Sequence, residues 1–282
     1  MTDFDADGTV RLLRELAEES SGLITLDPGI DDGRMDGWPV PVPEDVRVLL
    51  RAVGGVRVMV SRSVQNGHTS YEHLDFAHPY NEGRYAGCDT SWYLDHAGGT
   101  GSHWFLYTDH GDGHTYVDVD RATGAWGPVF QFWDATDTVR AAPSLPAWLD
   151  RFADCARRAL AGTATTHPHT AADTVTAATE TATGPAGPDA ATVNAFGRRF
   201  GDHWWDLDRN ATAVAPVTAA EARAAADPVL REAAAGLPDD ALLADLRAVT
   251  GPARVDFPLP YPCRYARHSG GAVLSATPWD GD

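Results

Sequence analysis

The sequence predicts an α+β protein: an antiparallel β-meander sheet flanked by helices, plus a smaller, mostly α C-terminal domain. Three observations lead to this prediction. Between Ser102 and Trp133, three short runs rich in aromatic and β-branched residues are separated by Gly/Asp clusters, the pattern of a β-meander. Apolar residues recur at helical spacing on both sides of that region. A Thr/Ala-rich stretch then separates residues 1–160 from residues 189–282.

The meander is the best-defined part of the sequence. Its three strands are predicted at His103–Thr108, Thr115–Val119 and Val129–Trp133. Successive side chains of a strand point to opposite faces of the sheet, so Tyr116 is expected to face away from Val117. This alternation predicts half-buried antiparallel strands, and the neighbouring segments are expected to cover the sheet.

Helices and short strands are predicted on the N-terminal side of the meander. Apolar spacing predicts one helix at Gly8–Glu19, and a proline in the first turn and a closing glycine predict a second between Pro43 and Gly54. Residues 27–37 contain Pro-Gly and Asp-Gly breakers and are expected to form a loop. The strand candidates are Leu23–Leu26, Val56–Ser61, Tyr71–Phe76 and Ser91–Leu94.

An amphipathic helix is predicted directly after the meander, at Ser144–Leu160, with irregular structure before it at Asp134–Ala142. Residues 161–188 have few large apolar side chains and are predicted to be a linker between domain 1–160 and domain 189–282. In the second domain, Thr218 and Glu221 have capping-box spacing. The predicted elements there are helices at Asp189–Phe200, Ala219–Ala235 (interrupted at Pro228) and Asp239–Val249, and a strand at Ala272–Ser275.

The chain is strongly acidic. Its 40 acidic and 22 basic residues give a formal net charge of −18 at pH 7. Nucleic-acid binding needs lysine and arginine to neutralise phosphates, so neither nucleic acid nor an anionic membrane is an expected partner. A basic protein is a suitable partner, because long-range attraction speeds encounter. Solubility alone is the other explanation of the charge.

Cysteines and targeting signals give no sign of a cofactor or a membrane anchor. The three cysteines, Cys88, Cys155 and Cys263, are far apart and lack CxxC spacing, which argues against a disulfide framework or a thiolate zinc site. The N-terminus is acidic and has no apolar signal core, and no run reaches the roughly 18 apolar residues of a membrane helix. These features predict a cytoplasmic protein.

The order of these elements resembles the SUKH superfamily, which includes bacterial toxin-immunity proteins and the yeast regulator of cell-wall glucan synthesis. The residues that carry the resemblance are Pro43–Gly55, Tyr107–Asp120, Gly127–Val129 and Pro143–Phe152, and it covers about residues 23–160. It implies a non-enzymatic protein-binding module that neutralises a toxin by covering its surface, with a basic nuclease as the candidate toxin. It implies no catalytic residue and no cofactor, and it does not cover the C-terminal half.

A partner-binding site is predicted at one end of the meander, where acidic turns meet aromatic residues. Tyrosine and tryptophan beside charged groups are typical anchors of protein interfaces. The site is assigned to Trp92, Tyr107, Asp109, Asp112, Tyr116 and Trp126. Packing in the core is the alternative for each aromatic residue, and turn formation is the alternative for each aspartate.

Two other functions stay open. A regulatory scaffold is expected to bind several host proteins weakly. A metal-dependent enzyme would use the histidines and aspartates around the meander, but no HExxH motif or EF-hand spacing is present. The prediction is therefore no bound metal and no enzymatic activity. The histidines concerned are His68, His73, His78, His103, His110 and His114.

Overall fold

A computed structural model describes residues 4–82, 103–108, 113–120, 123–133, 136–164, 187–205, 211–259 and 263–278. Within these ranges the chain forms helices and largely antiparallel sheets, so the predicted α+β class is confirmed. The helices are α1 (Ala6–Glu19), α2 (Asp32–Asp36), α3 (Glu44–Ala52), α4 (Leu145–Ala164), α5 (Ala190–Trp204), α6 (Ala219–Ala224) and α7 (Pro228–Ala233). The strands are β1 (Ile24–Asp27), β2 (Gly55–Arg62), β3 (Thr69–Asp75), β4 (His103–Thr108), β5 (Gly113–Val119), β6 (Trp126–Trp133), β7 (Thr136–Ala142), β8 (Thr212–Ala213), β9 (Val217–Thr218), β10 (Leu242–Asp245), β11 (Ala253–Arg254), β12 (Cys263–His268) and β13 (Val273–Pro278).

The described strands form three sheets. The first sheet has the order β1-β2-β3, the central sheet β4-β5-β6-β7-β11-β8, and the C-terminal sheet β12-β13-β10-β9. All neighbouring strands run antiparallel except β8 and β11, which are parallel. The predicted meander is confirmed as β4-β5-β6, and β7 and β11 extend it toward the C-terminal half.

The meander buries both of its faces. Trp104, Val117 and Val129 lie opposite one another and belong to a large first core with the first sheet and helices α1, α3, α4 and α5. The alternate residues belong to a second core, which also contains residues of the C-terminal sheet and of the segment around β11. Its buried members are Phe105, Tyr116, Phe130, Ala244, Leu246, Ala253, Val255 and Leu274. The C-terminal half therefore covers the face of the meander that the sequence left without an assigned neighbour.

Helix α5 lies in the region predicted as a separate domain but packs into the first core. Val193, Phe196 and Phe200 are fully buried there. Trp204 contacts Trp148 of α4 with ring centroids 5.1 Å apart. Helix α5 and strand β11 therefore pack against the first 160 residues, while the domain boundary at residues 161–188 stays a prediction.

The predicted helix at Asp239–Val249 is wrong. Its middle forms strand β10, which pairs with β13 and β9. The local sequence suits a helix, but Leu243 and Ala244 are buried on opposite faces of the C-terminal sheet. Burial on both faces favours a strand here and overrides local propensity. With six strands among its elements, this half is not mostly helical.

Other differences concern short segments. The predicted loop at Asp27–Gly37 contains α2, and the irregular segment at Asp134–Ala142 contains β7. The capping box of Thr218 and Glu221 is present, and the Ala-rich segment forms two short helices. The candidate strand Ser91–Leu94 and residues 165–186 of the predicted linker lie outside the described residues.

Asn81 joins the end of the first sheet to β4, the edge strand of the central sheet. Its side chain is 2% exposed. The amide oxygen accepts from the Phe105 backbone N–H at 2.7 Å, and the amide nitrogen donates to the Phe105 carbonyl at 2.9 Å and to the Phe76 carbonyl at 3.2 Å. The side-chain amide therefore pairs with the backbone N–H and carbonyl of Phe105, as a neighbouring strand would.

We expect Asn81→Ala to destabilise the protein by roughly 2–4 kcal/mol, because buried backbone groups of Phe105 and Phe76 lose their partner. Denaturant unfolding followed by circular dichroism measures the loss. Asn66→Ala is the matched control, since Asn66 is exposed in the β2–β3 hairpin and accepts one bond from the His68 backbone N–H. Equal losses for the two variants would show that Asn81 does not hold the sheet edge.

Candidate partner-binding site

Half of the predicted site lies outside the described residues, namely Trp92, Asp109 and Asp112. Tyr107 lies in β4 opposite Thr115 of β5, and its side chain is not described. For these four residues, a role in partner binding stays a prediction.

Tyr116 does not lie on the surface. It is fully buried in the second core, beside Phe105 and Phe130. The expectation of an exposed anchor is therefore wrong for this residue. The physical reason is that the C-terminal sheet packs over this face of the meander, which sequence alternation alone does not reveal.

Trp126 is half-buried and fastens the proline-rich segment before α3. Its indole nitrogen donates to the Pro41 carbonyl at 2.8 Å, and its ring lies 4.9 Å from the ring of Trp104. Both contacts hold Trp126 within the fold. The described side chains of the predicted site, Tyr116 and Trp126, therefore fit a role in packing better than a role in partner binding.

Arg267 of β12 reaches between the two sheets to Tyr116. Its guanidinium lies over the Phe130 ring at 4.4 Å and donates to the Tyr116 hydroxyl. Asp118 lies 3.7 Å from the guanidinium, and the two side chains are 7% and 14% exposed. A nearly buried cation is tolerated because a carboxylate, a hydroxyl and aromatic faces surround it. This cluster fixes the C-terminal sheet on the meander.

The histidines do not assemble into a metal centre in the described part of the chain, where no group of three or more His, Cys, Asp and Glu side chains is placed to hold an ion. His114 is buried, and this burial, with a smaller effect of His78, lowers its pKa to about 4. It therefore stays neutral at physiological pH. His73 instead contacts Asp27 at 2.6 Å across the first sheet.

One pair has the geometry of a nucleophile and a base. His268 Nε2 lies 2.9 Å from Ser275 Oγ. Ser275 is only 1% exposed, and the neighbouring Val273 on the same sheet face packs against α6 and α7. A substrate cannot reach a hydroxyl covered in this way, so the pair is best explained as a satisfied buried hydrogen bond.

Four exposed carboxylates lie at the start of α1 and in the first half of α4, namely Asp5, Asp7, Asp150 and Asp154. We call these four carboxylates the acidic end. Among the described residues, none of them has an ion-pair partner. Partial burial, with a smaller effect of the nearby Asp154, raises the pKa of Asp150.

Several carboxylates elsewhere in the described residues are matched with arginine. Arg51 binds Glu44 at 2.7 Å, and its hydrogen bond holds the pKa of Asp32 below the usual range. Arg247 likewise binds Asp227 and Asp245. The four carboxylates of the acidic end differ from these because no arginine is placed against them among the described residues.

A groove of about 400 Å³ opens at the acidic end between α1 and α4. Its walls combine apolar side chains with two of the carboxylates. Asp5 also caps α1 by accepting from the Gly8 backbone N–H at 2.8 Å. The lining residues are Phe4, Asp5, Gly8, Thr9, Leu12, Pro146 and Asp150. The acidic first turn of α1 is visible in the sequence, but only the tertiary structure brings Asp150 beside it.

The fold and this surface define an acidic α+β protein whose meander is covered on both faces and which carries a groove with two carboxylates between α1 and α4. No helix in the described ranges has both the length and the apolar character needed to cross a membrane. Comparisons with protein-family models, curated proteins and solved structures find no match to the chain.

Proposed function

We propose that the protein is a non-enzymatic protein-binding module that neutralises a cognate toxin by direct binding, as a cytoplasmic immunity protein. The observation that carries the proposal is the acidic end, where four exposed carboxylates have no cation partner among the described residues. A basic toxin surface would supply that cation, and attraction between the two surfaces would speed their encounter.

The element order within residues 23–160 supports the same function. Helix α3, the strands β2 and β3, the meander and α4 follow one another as the resemblance to the SUKH superfamily implies. Fold analogy does not itself establish function, so the charge pattern carries the proposal.

Affinity capture with the full chain, read by mass spectrometry, tests the proposal. We expect one stoichiometric partner with a basic, toxin-like domain, whose activity falls when the purified protein is added. Capture of several host proteins, each bound weakly, would favour a regulatory scaffold over an immunity protein. Absence of a basic partner at micromolar protein concentration would overturn it.

Neutralising part of the acidic end should weaken that complex. We expect Asp7→Asn with Asp154→Asn to lower the association rate constant roughly tenfold at low salt, with a smaller effect at high salt, because long-range attraction is screened. Stopped-flow or surface plasmon resonance measures the rate. Glu232→Gln with Asp240→Asn is the matched control, because it removes the same charge from exposed positions in the C-terminal half. An equal effect of both pairs would exclude the acidic end as the contact.

A further inference from the structure

The groove at the acidic end has two kinds of wall. Phe4, Leu12 and Pro146 supply apolar surface, while Asp5 and Asp150 supply carboxylates from two different helices. A long basic side chain has the matching construction, because its aliphatic stem covers apolar surface while its charged head meets carboxylates. The groove is therefore complementary to a single basic side chain as well as to positive charge in general.

We propose that this groove binds an arginine side chain of the partner, an inference that rests on the proposed function and names the contact. The planar guanidinium carries five donors and meets carboxylates in a forked geometry, whereas the lysine ammonium is a compact point charge. Two carboxylates in the lining, one at the start of α1 and one on α4, suit the forked group. An aromatic wall at Phe4 also favours guanidinium, which stacks on rings.

A metal ion fits the groove less well than arginine. Hard cations need about six oxygen ligands, and the groove lining contains two carboxylates. One oxygen of Asp5 is already occupied by the Gly8 backbone N–H. The mixed apolar and acidic lining fits a cation carried on an aliphatic stem better than a bare ion.

The test uses small probes and needs no identified partner. Nα-acetyl-arginine amide, the lysine amide and the neutral citrulline amide are titrated into the full chain, and backbone amide shifts are followed by NMR. We expect the arginine probe to shift the amides of Gly8, Thr9 and Asp150. The lysine probe should bind at least roughly threefold more weakly than the arginine probe. The citrulline probe should leave the amide shifts unchanged.

Asp150→Asn keeps the side-chain shape and removes one carboxylate, so arginine affinity should fall roughly tenfold. The control pair Glu232→Gln with Asp240→Asn should bind the arginine probe like the parent chain. Equal affinity for arginine and lysine, or shifts located away from α1 and α4, would overturn the inference. A basic partner captured without an arginine-selective groove leaves the proposed function intact, whereas an arginine-selective groove without any partner overturns only the proposed function.

Discussion

Gly197→Ala should destabilise the protein by roughly 3 kcal/mol, because α5 lies directly against the backbone of β2. A Cβ atom at Gly197 would lie 1.8 Å from the Val60 carbonyl oxygen and 2.5 Å from its carbon. Neither atom belongs to a flexible side chain, so α5 has to move away from the first sheet. The buried side chains of Val193, Phe196 and Phe200 then lose part of their packing.

Urea unfolding followed by tryptophan fluorescence measures this loss, since Trp204 of α5 packs against Trp148 of α4 in the same core. Gly201→Ala is the matched control on the same helix. A Cβ atom there meets only Trp205 Cδ1 at 3.8 Å, an ordinary contact. This control should be neutral or stabilising by up to about 1 kcal/mol, because alanine favours helix more than glycine does. Similar free energies of unfolding for both variants would show that α5 is not seated on β2.

Arg267→Met should also be strongly destabilising, by roughly 3–5 kcal/mol, because it removes the guanidinium that faces the nearly buried Asp118 carboxylate. The Tyr116 hydroxyl loses its donor in the same step. Methionine keeps most of the volume, so the measured loss reports charge and hydrogen bonding more than an empty space. Thermal and denaturant unfolding measure the effect, and Arg198→Met, at an exposed position of α5, is the control.

A double-mutant cycle identifies the cause. If the uncompensated carboxylate dominates, Arg267→Met combined with Asp118→Asn should be more stable than Arg267→Met alone. Strict additivity of the two single changes would mean that the guanidinium and the carboxylate do not interact. In that case Arg267 would hold the C-terminal sheet through the aromatic rings of Tyr116 and Phe130 alone.

Prediction from sequence succeeded where the signal is local. Strand β4 occupies the predicted residues His103–Thr108, and α1, α3 and α5 begin and end within a few residues of the predicted bounds. Apolar periodicity, prolines in a first turn and capping residues act over a few neighbouring positions. The helix predicted at Asp239–Val249 failed because β10 is specified by its partners β9 and β13.

The candidate site was likewise predictable from the sequence only in part. Aromatic anchors were predicted from alternation, which correctly separates Tyr116 from Val117 but does not identify the covering layer. The acidic first turn of α1 is explicit in the sequence. Its pairing with Asp150 and the groove between the two helices depend on contacts across more than 130 residues.

The sequence by itself determined the acidic surplus, the α+β class, the three meander strands and most helices, because composition and local spacing are sufficient for these features. Only the tertiary structure decided that the C-terminal half covers the second face of the meander, that α5 belongs to the first core, and that Asp5 and Asp150 line one groove. Burial of one face against another depends on long-range packing, and a single linear pattern is compatible with several covering partners.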